Sequence, residues 1–422
     1  MIFSEYRPIF RNRKFMFLAS TESASRLGDM AQGIALAAYV YTVSESSFIF
    51  GLFLLLRFAP QFLLLPFAGA IADRFSRRNL TTIINLLLAL ISILMAIYNQ
   101  STLWILSLAL LAGIVVLPYR PAMVSSFPAL LTDEQLPIAN GFLGVLNGIG
   151  RVLGAAIATY GLLNDVVVYV LLFNALSFLA AGIASWLVLP KVNWAEQTGE
   201  ATADAGEVEE STGAQPTLRD CMAYLWQHRT IRMLIAGATL LWGALSLSDV
   251  LLVPVLGSMM TDGEKYYGIY RFVAAIGMAV GAYFSVHWQK WFVRPGRLAY
   301  GYAVPLLLIS LATIGLALWP LSVGYAFYFV IWIAMFLPST LLEVELMRTP
   351  SSMRGRVIAL ADAVDGTLFI ALALCLPLIS GPDSQSLLSY SSLPFLAVAC
   401  IWLIMWAVQA LFPSAKRSAY KS

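Results

Sequence analysis

Long apolar runs separated by short polar segments fill the chain from residue 15 to residue 412. Each run is close to the length of about 20 residues that an α-helix needs to cross a bilayer. We predict twelve spans, numbered in chain order: 15–41, 48–72, 80–98, 102–118, 137–162, 166–189, 231–256, 266–286, 298–319, 323–347, 355–379 and 391–412. The pattern therefore predicts an all-α membrane protein with twelve transmembrane helices in two six-helix bundles, and an even number of spans places both termini on one side.

Composition agrees with this prediction. Of the 422 residues, 60% are hydrophobic and 12% are charged, whereas soluble domains carry about 25% charged residues. The sequence has no metalloprotease motif, no nucleophile elbow and no phosphate-binding glycine loop, so we predict neither an enzyme nor an ATP-driven pump. We also expect no cofactor other than the proton gradient, no metal site and no nucleic-acid partner.

Basic residues are concentrated on one face of the predicted membrane domain. They precede the first span, follow the second, sixth, eighth and tenth spans, and close the chain. The opposite face has Lys265 alone if the twelve spans are correct. Because loops rich in lysine and arginine stay in the cytoplasm, both termini are predicted to be cytoplasmic.

A long polar connection divides the chain into an N-terminal bundle (1–189), a linker (190–230) and a C-terminal bundle (231–422). Its first part, 196–210, is acidic and small, and we expect it to be disordered. In its second part apolar residues recur at helical spacing, which predicts an amphipathic helix on the cytoplasmic membrane surface. These residues are Leu218, Cys221, Met222, Leu225 and Trp226. The helix could simply tie the halves together or bind a partner.

Charged residues inside the spans follow a pattern. They occur on spans one, two, five, seven, eight, ten and eleven, whereas spans three, six, nine and twelve have none. The residues are Glu22, Arg26, Asp29, Arg57, Arg151, Asp249, Arg271, Glu343, Glu345, Asp362 and Asp365. Since a charge at the centre of a bilayer costs at least about 2.5 kcal/mol, we expect the charged helices to surround a shared polar space and the uncharged ones to face lipid.

Several of these charges are candidates for binding a substrate or a proton. Arg26, Arg57 and Arg151 fall near mid-depth and favour an anionic substrate, because a guanidinium holds a carboxylate in a forked pair. Arg57 could instead pair with a carboxylate of the first span, and Glu22, Arg26 and Asp29 could form a self-neutralising ladder. Tyr39 and Trp242, like Tyr119, could line the same space or merely pack.

Proton coupling requires a carboxylate that responds to conformation. Asp29 is the first candidate, Asp365 and Asp362 follow, and Glu22 completes the set. Asp249 and Arg271 both lie toward the outer side on neighbouring spans, which favours a structural or gating pair over a ligand site.

The segment after the second span, Gly69-Ala70-Ile71-Ala72-Asp73-Arg74-Phe75-Ser76-Arg77-Arg78, resembles the loop between the second and third helices of the major facilitator superfamily. Ser76 stands where the family pattern has a glycine. The resemblance implies two bundles and alternating access. Gly69, Asp73, Arg74, Arg77 and Arg78 would then act in conformational change, with Asp73 meeting the start of the eleventh span near Arg354 and Arg356.

A narrower resemblance is carried by three segments: 118–122 with 127–140, Thr349-Pro350 with 353–357, and Gly28-Asp29 with Val40-Tyr41. They resemble the enterobactin-exporter and macrolide-efflux subgroup of drug:proton antiporters. This implies proton-driven export from the bacterial cytoplasm by a single chain. The arginines favour an anionic siderophore or a similar carboxylate-bearing metabolite. The alternatives are multidrug or macrolide efflux and proton-coupled uptake of an organic anion. The span-five pattern departs from that of exporters, because Ala155 follows Gly154 where they have proline.

Overall fold

A computed structural model of the chain describes residues 8–64, 75–124, 126–132, 134–190, 218–259, 261–292, 298–320, 323–347, 349, 351–379 and 384–411. All regular secondary structure in these ranges is helical. Nine of the described helices are long and apolar enough to cross a membrane. The chain is an all-α membrane protein, as its apolar pattern predicts.

Each of the twelve predicted spans contains a helix. In the first half these helices are Arg13–Ser44, Ser47–Leu63, Arg77–Ile97, Thr102–Val115, Gln135–Leu163 and Val167–Val188. In the second half they are Arg229–Met259, Tyr267–Phe292, Ala303–Leu318, Gly324–Phe336, Ser351–Ile379 and Ser384–Leu411. Three shorter helices are Tyr119–Val124, Leu218–Gln227 and Ser339–Met347, and three 3₁₀ turns are Phe127–Ala129, Gly263–Tyr266 and Leu298–Tyr302.

Polar residues set the starts of the first three helices. The side chains of Asn12, Ser46 and Ser76 accept hydrogen bonds from backbone N–H groups three residues later, at 3.0, 3.4 and 3.4 Å. Such caps satisfy N–H groups that have no partner inside the helix. Ser76, which replaces the glycine of the family pattern, therefore has a local role as the cap of the third helix.

The chain divides into two compact units. The first contains Met1–Ala214 and Met260–Ala275, and the second contains Gln215–Met259 and Ile276–Ser422. The segment Met260–Ala275, which includes the start of the eighth-span helix, belongs to the first unit. The linker helix Leu218–Gln227 packs on the eleventh-span helix of the second unit.

The two units repeat one packing plan. In the first unit, the first-span helix packs on the fifth and sixth, and the third packs on the sixth. In the second unit, the seventh-span helix packs on the eleventh and twelfth, and the ninth packs on the twelfth. Adding six to each number of the first set gives the second set. The structure thus contains an internal repeat of the kind that transporters use.

The uncharged helices expose large apolar side chains. Leu90, Leu187, Leu311 and Ile404 are 51, 67, 49 and 62% exposed on the third, sixth, ninth and twelfth spans. Exposed apolar surface of this extent on four helices is suited to lipid acyl chains. The third, sixth, ninth and twelfth spans therefore each have an apolar exposed face, although charged spans such as the fifth, with Val145 57% exposed, have one too.

Candidate functional site

A cavity of about 340 Å³ lies within the first unit. Helices of all six spans contribute to its wall. Six charged side chains line it: Glu22, Arg26, Asp29, Arg57, Arg120 and Arg151. The three arginines predicted to bind substrate are thus brought together with the two carboxylates of the first span. The volume is in the range of small-molecule sites in proteins.

Glu22 is held in the cavity wall by two side chains, Arg26 and Tyr119. Its Oε1 accepts a hydrogen bond from Arg26 Nε at 3.0 Å, and its Oε2 accepts a hydrogen bond from the Tyr119 hydroxyl. Asn85 donates to the same Tyr119 oxygen at 3.3 Å. The Glu22 side chain is only 5% exposed. Tyr119 is therefore a cavity residue that bridges a buried carboxylate and a neutral amide.

Asp29 pairs with Arg57 and not with Arg26. Its Oδ1 lies 3.4 Å from Arg57 Nη2, and its side chain is 53% exposed. The sequence left two partners open for Arg57, an anionic substrate or a carboxylate of the first span. The structure shows the carboxylate. The self-neutralising ladder of Glu22, Arg26 and Asp29 is accordingly split into two separate pairs.

Gly33 gives the Arg57 guanidinium its place beside the first span. A Cβ atom on residue 33 would lie 2.6 Å from Arg57 Nη2, and Cβ atoms essentially never come within 3.0 Å of another heavy atom. Because Gly33 is one turn after Asp29, the missing side chain leaves room for the guanidinium to reach the Asp29 carboxylate.

Arg120 and Arg151 line the cavity without a carboxylate partner among the described residues. Four arginines face two carboxylates there, so the described lining carries a net charge of +2. The side chains of Arg120 and Arg151 are both exposed, so their guanidinium groups are accessible to an anion that enters the cavity. Arg120 was missed as a site residue in the sequence, because the fourth span was predicted to end at residue 118, whereas a further helix, Tyr119–Val124, follows.

The part of the cavity wall contributed by the third and sixth spans is neutral and largely apolar. The uncharged third span contributes Asn85, Leu88, Ile91, Ser92 and Met95, and the sixth contributes Phe178. The expectation that uncharged spans only face lipid is therefore incomplete, since these two helices have an apolar outer face and a cavity-lining inner face. The charge pattern could not reveal the neutral lining residues.

Two aromatic candidates lie elsewhere. Tyr39 donates to Asn99 Oδ1 at 3.1 Å and accepts from Gln100 at 3.0 Å, and it is not part of the cavity wall. Trp242 belongs to the second unit and is 38% exposed. Neither residue joins the arginines in this cavity, whereas Tyr119 does.

Asp249 and Arg271 belong to different units. Asp249 accepts a hydrogen bond from Tyr328 at 2.7 Å, and the Arg271 guanidinium lies 5.9 Å from the centre of the Tyr267 ring. Their pairing stays a prediction.

Arg78, at the start of the third helix, stacks on Trp186 at 3.8 Å, and Arg77 begins that helix.

Other predicted site residues cannot be placed. Gly69, Asp73 and Arg74 lie outside the described residues, as does the acidic part of the linker. The backbone of Arg354, Arg356, Asp362 and Asp365 belongs to the eleventh-span helix, but their side chains are outside the described set.

Comparison with known proteins settles the family. The sequence profile of the Major Facilitator Superfamily matches residues 18–374. This chain belongs to the Major Facilitator Superfamily. It is a multi-pass membrane transporter and not an enzyme, and the loop motif around Asp73 led to the correct family.

Solved transporter structures share the fold of this superfamily member. The nucleoside transporter NupG matches with a TM-score of 0.70 at 12% identity, over 93% of this chain and 99% of that chain. A bacterial homologue of the iron transporter ferroportin, in an inward-facing state, matches with a TM-score of 0.68 at 18% identity, over 93% and 98%. At these identities the likeness shows the fold alone.

One curated relative is the lysophospholipid transporter LplT of Escherichia fergusonii. It is 27% identical over 222 residues, which cover 51% of this chain and 51% of the relative. The match thus spans about half the length of that protein.

Proposed function

We propose that this transporter carries a small carboxylate-bearing solute across the bacterial cytoplasmic membrane, coupled to protons, through the cavity of the first unit. The observation that carries the proposal is that Arg120 and Arg151 line the cavity and have no carboxylate partner in the described part of the chain. A guanidinium binds a carboxylate through two parallel hydrogen bonds. The same charges would repel a lipophilic cation, which argues against multidrug efflux.

Export is the direction that the resemblance to siderophore exporters favours. A siderophore of the polycarboxylate kind could present carboxylates to the arginines, with both chain termini in the cytoplasm and protons entering as the solute leaves. Alternating access would expose the site to each side in turn, with a single chain as the working unit. Asp73 and its neighbouring arginines would act in the conformational change.

Asp29 is the proposed coupling carboxylate. It lies in the cavity, is half-exposed and is paired with Arg57 at 3.4 Å. A proton on Asp29 would weaken this pair and free the guanidinium. Glu22 is the second candidate in this unit, although its buried contacts with Arg26 and Tyr119 also suit a structural role. Asp362 and Asp365 keep their proposed part in coupling.

Uptake is a second candidate, and the Asp29–Arg57 pair favours it. A substrate anion and the Asp29 carboxylate compete for the same guanidinium, so anion binding and protonation of Asp29 favour each other. Such linkage is reciprocal. A protein that binds a proton and an anion together is suited to symport. An inward proton gradient would then drive uptake of the anion into the cell. Export rests on the sequence resemblance, and symport rests on this pair.

The relative LplT suggests a third substrate class, because it is named for lysophospholipids. A lysophospholipid phosphate would also suit the arginines. The cavity, however, measures about 340 Å³, so it would take the head group and leave the acyl chain outside.

Flux measured in proteoliposomes tests these assignments. Citrate and a citrate-based siderophore would be supplied with an imposed pH gradient, and lysophosphatidylglycerol would be added as a competitor. We expect carboxylate flux that falls about 10- to 100-fold in Arg120→Gln and Arg151→Gln, since hydrogen bonds to charged groups contribute about 1.5–3 kcal/mol. Arg232→Gln, which loses only a stacking contact on Trp226 in the second unit, should transport normally.

The direction of flux separates the candidates. Solute movement against the proton flow supports export, and accumulation with the proton flow supports uptake. Competition by lysophosphatidylglycerol without carboxylate flux would replace the proposed substrate by a lipid. Transport of a cationic dye with no response to any anion would overturn the proposal.

A further inference from the structure

The cavity has a second polar region that contains no charged side chain. Gln32 on the first span and Ser92 on the third both line the cavity and are 4% and 1% exposed. Gln32 Nε2 lies 3.6 Å from the sulfur of Met95, which is one turn after Ser92. We call Gln32, Ser92 and Met95 the neutral subsite.

The polar atoms of this neutral subsite are poorly satisfied within the protein. Among the described residues, Ser92 Oγ has no hydrogen-bond partner. The Gln32 amide N–H₂ donates only to a thioether, which is a weak acceptor. Buried polar groups are almost always hydrogen-bonded, because leaving one unpaired costs free energy. One unpaired hydroxyl and one weakly paired amide, on residues that line the same cavity, therefore point to a polar group of a ligand.

The orientation of the Gln32 amide is fixed by hydrogen bonds to residues of the sixth span, Asn174 and, through it, Ser177. Its Oε1 accepts a hydrogen bond from Asn174 Nδ2 at 3.0 Å, and Asn174 Oδ1 accepts in turn from Ser177 at 3.1 Å. Gly28 lets Asn174 come this close, since a Cβ on residue 28 would lie 2.5 Å from Asn174 Oδ1. The Gln32 N–H₂ group is thereby held on the side of Met95 and the cavity as a donor.

The position of the neutral subsite along the cavity defines the spacing of a ligand. Arg26 and Gln32 are six residues apart on one helix, which is about 9 Å at 1.5 Å per residue. Between these levels the third span offers the apolar side chains of Leu88 and Ile91. The cavity thus presents positive charge, then the Asp29–Arg57 pair beside an apolar wall, then a neutral donor beside a hydroxyl.

We propose that the neutral subsite binds a hydroxyl group of the substrate, so that the transporter selects amphipathic hydroxy acids: a carboxylate at the arginines, an apolar body, and a neutral hydroxyl at Gln32 and Ser92. A hydroxyl can accept from Gln32 Nε2 and donate to Ser92 Oγ, which neither a carboxylate nor a methyl group can do. This inference rests on the proposed function for the carboxylate end and adds the second recognition element.

Two acids that differ by one hydroxyl test the proposal. Binding of para-hydroxyphenylpropionate and of phenylpropionate to the purified full-length protein would be measured by titration calorimetry. We expect the hydroxylated acid to bind on the order of threefold to tenfold more tightly, the value of one neutral hydrogen bond. Ser92→Ala should remove this preference while leaving the affinity for phenylpropionate unchanged.

Ser310→Ala is the matched control. Ser310 is also 1% exposed on a spanning helix, but its hydroxyl donates to Leu306 O at 2.8 Å and it belongs to the second unit. That variant should keep the full preference. Gln32→Met, which retains the shape without the amide, should lose the preference as Ser92→Ala does.

The failures are distinguishable. Equal binding of both acids by the unmodified protein would overturn the neutral subsite and leave the arginine site standing. A preference that survives both Ser92→Ala and Gln32→Met would also overturn it. Binding of neither acid would overturn the neutral subsite and the proposed carboxylate site together.

Discussion

The two units of this transporter share a packing plan and differ in their chemistry. The first- and seventh-span helices occupy equivalent places in the repeat, and each carries an aspartate: Asp29 near the middle of its helix and Asp249 nearer the C-terminal end of its helix. In the first unit Asp29 pairs with Arg57 in a cavity that also contains Arg120 and Arg151. In the second unit Asp249 accepts a hydrogen bond from Tyr328. A repeated scaffold therefore need not repeat the site that it supports.

The largest effect on transport should come from replacing each of these two carboxylates separately by asparagine. Asp29→Asn removes a group that can take up a proton beside Arg57, and we expect it to abolish the dependence of transport on the pH gradient. Asp249→Asn should slow transport yet keep that dependence. Flux in vesicles with and without a pH gradient measures both. If the two variants behave alike, Asp29 is not the coupling carboxylate.

Glycines with tight contacts in each unit allow a finer comparison. Gly33→Ala would push the Arg57 guanidinium away from the first span, and we expect anion affinity to fall about tenfold, as for loss of a charge-assisted hydrogen bond. In the second unit, the Cβ atom that Gly237→Ala adds would lie 2.6 Å from the Tyr302 ring. It should lower thermal stability and leave affinity unchanged.

Gly144→Ala is the neutral control for both variants, because a Cβ at that position has no other atom within 4 Å. Alanine there should slightly stabilise the fifth-span helix. Unaltered anion affinity in Gly33→Ala would mean that Arg57 does not contribute to binding from its observed position.

The smallest effect concerns the segment that the second half of the sequence contributes to the first unit. Lys265 lies 2.8 Å from Asp165 and 3.6 Å from Asp262, whose side chains are 71% and 59% exposed. Pairs this exposed contribute about 0.2–1 kcal/mol. Lys265→Gln should therefore lower the unfolding temperature by no more than a few degrees, and less in high salt.

Lys290→Gln, at an exposed residue near the end of the eighth-span helix, should not change the unfolding temperature. A fall of more than about 5 °C in Lys265→Gln alone would show that the segment depends on this lysine more than exposed ion pairs allow.

Much of the fold could be predicted because membrane helices are specified by long apolar runs. All twelve spans contain helices, and the loop at Asp73 pointed to the right superfamily. The presence of Arg26, Arg57 and Arg151 around one cavity agrees with the expectation drawn from the cost of intramembrane charge.

The rest of the site could not be predicted, because its signals were local geometry and neutral chemistry. Ser92 and Gln32 carry no charge, and a serine on a spanning helix usually bonds its own backbone, as Ser310 does. Arg120 lies in a short helix that follows the predicted end of the fourth span. The choice between Arg26 and Arg57 as partner of Asp29 depends on the missing side chain of Gly33.

The segment Met260–Ala275 has a practical consequence for dissecting this protein. Since it packs with the first unit while following the seventh span in sequence, the chain passes between the units three times. Two fragments cut at the linker would not correspond to the two folded bodies, because the N-terminal fragment would lack the residues that include the Lys265 partner of Asp165. Reassembly from such halves would require the C-terminal fragment to supply a piece of its neighbour.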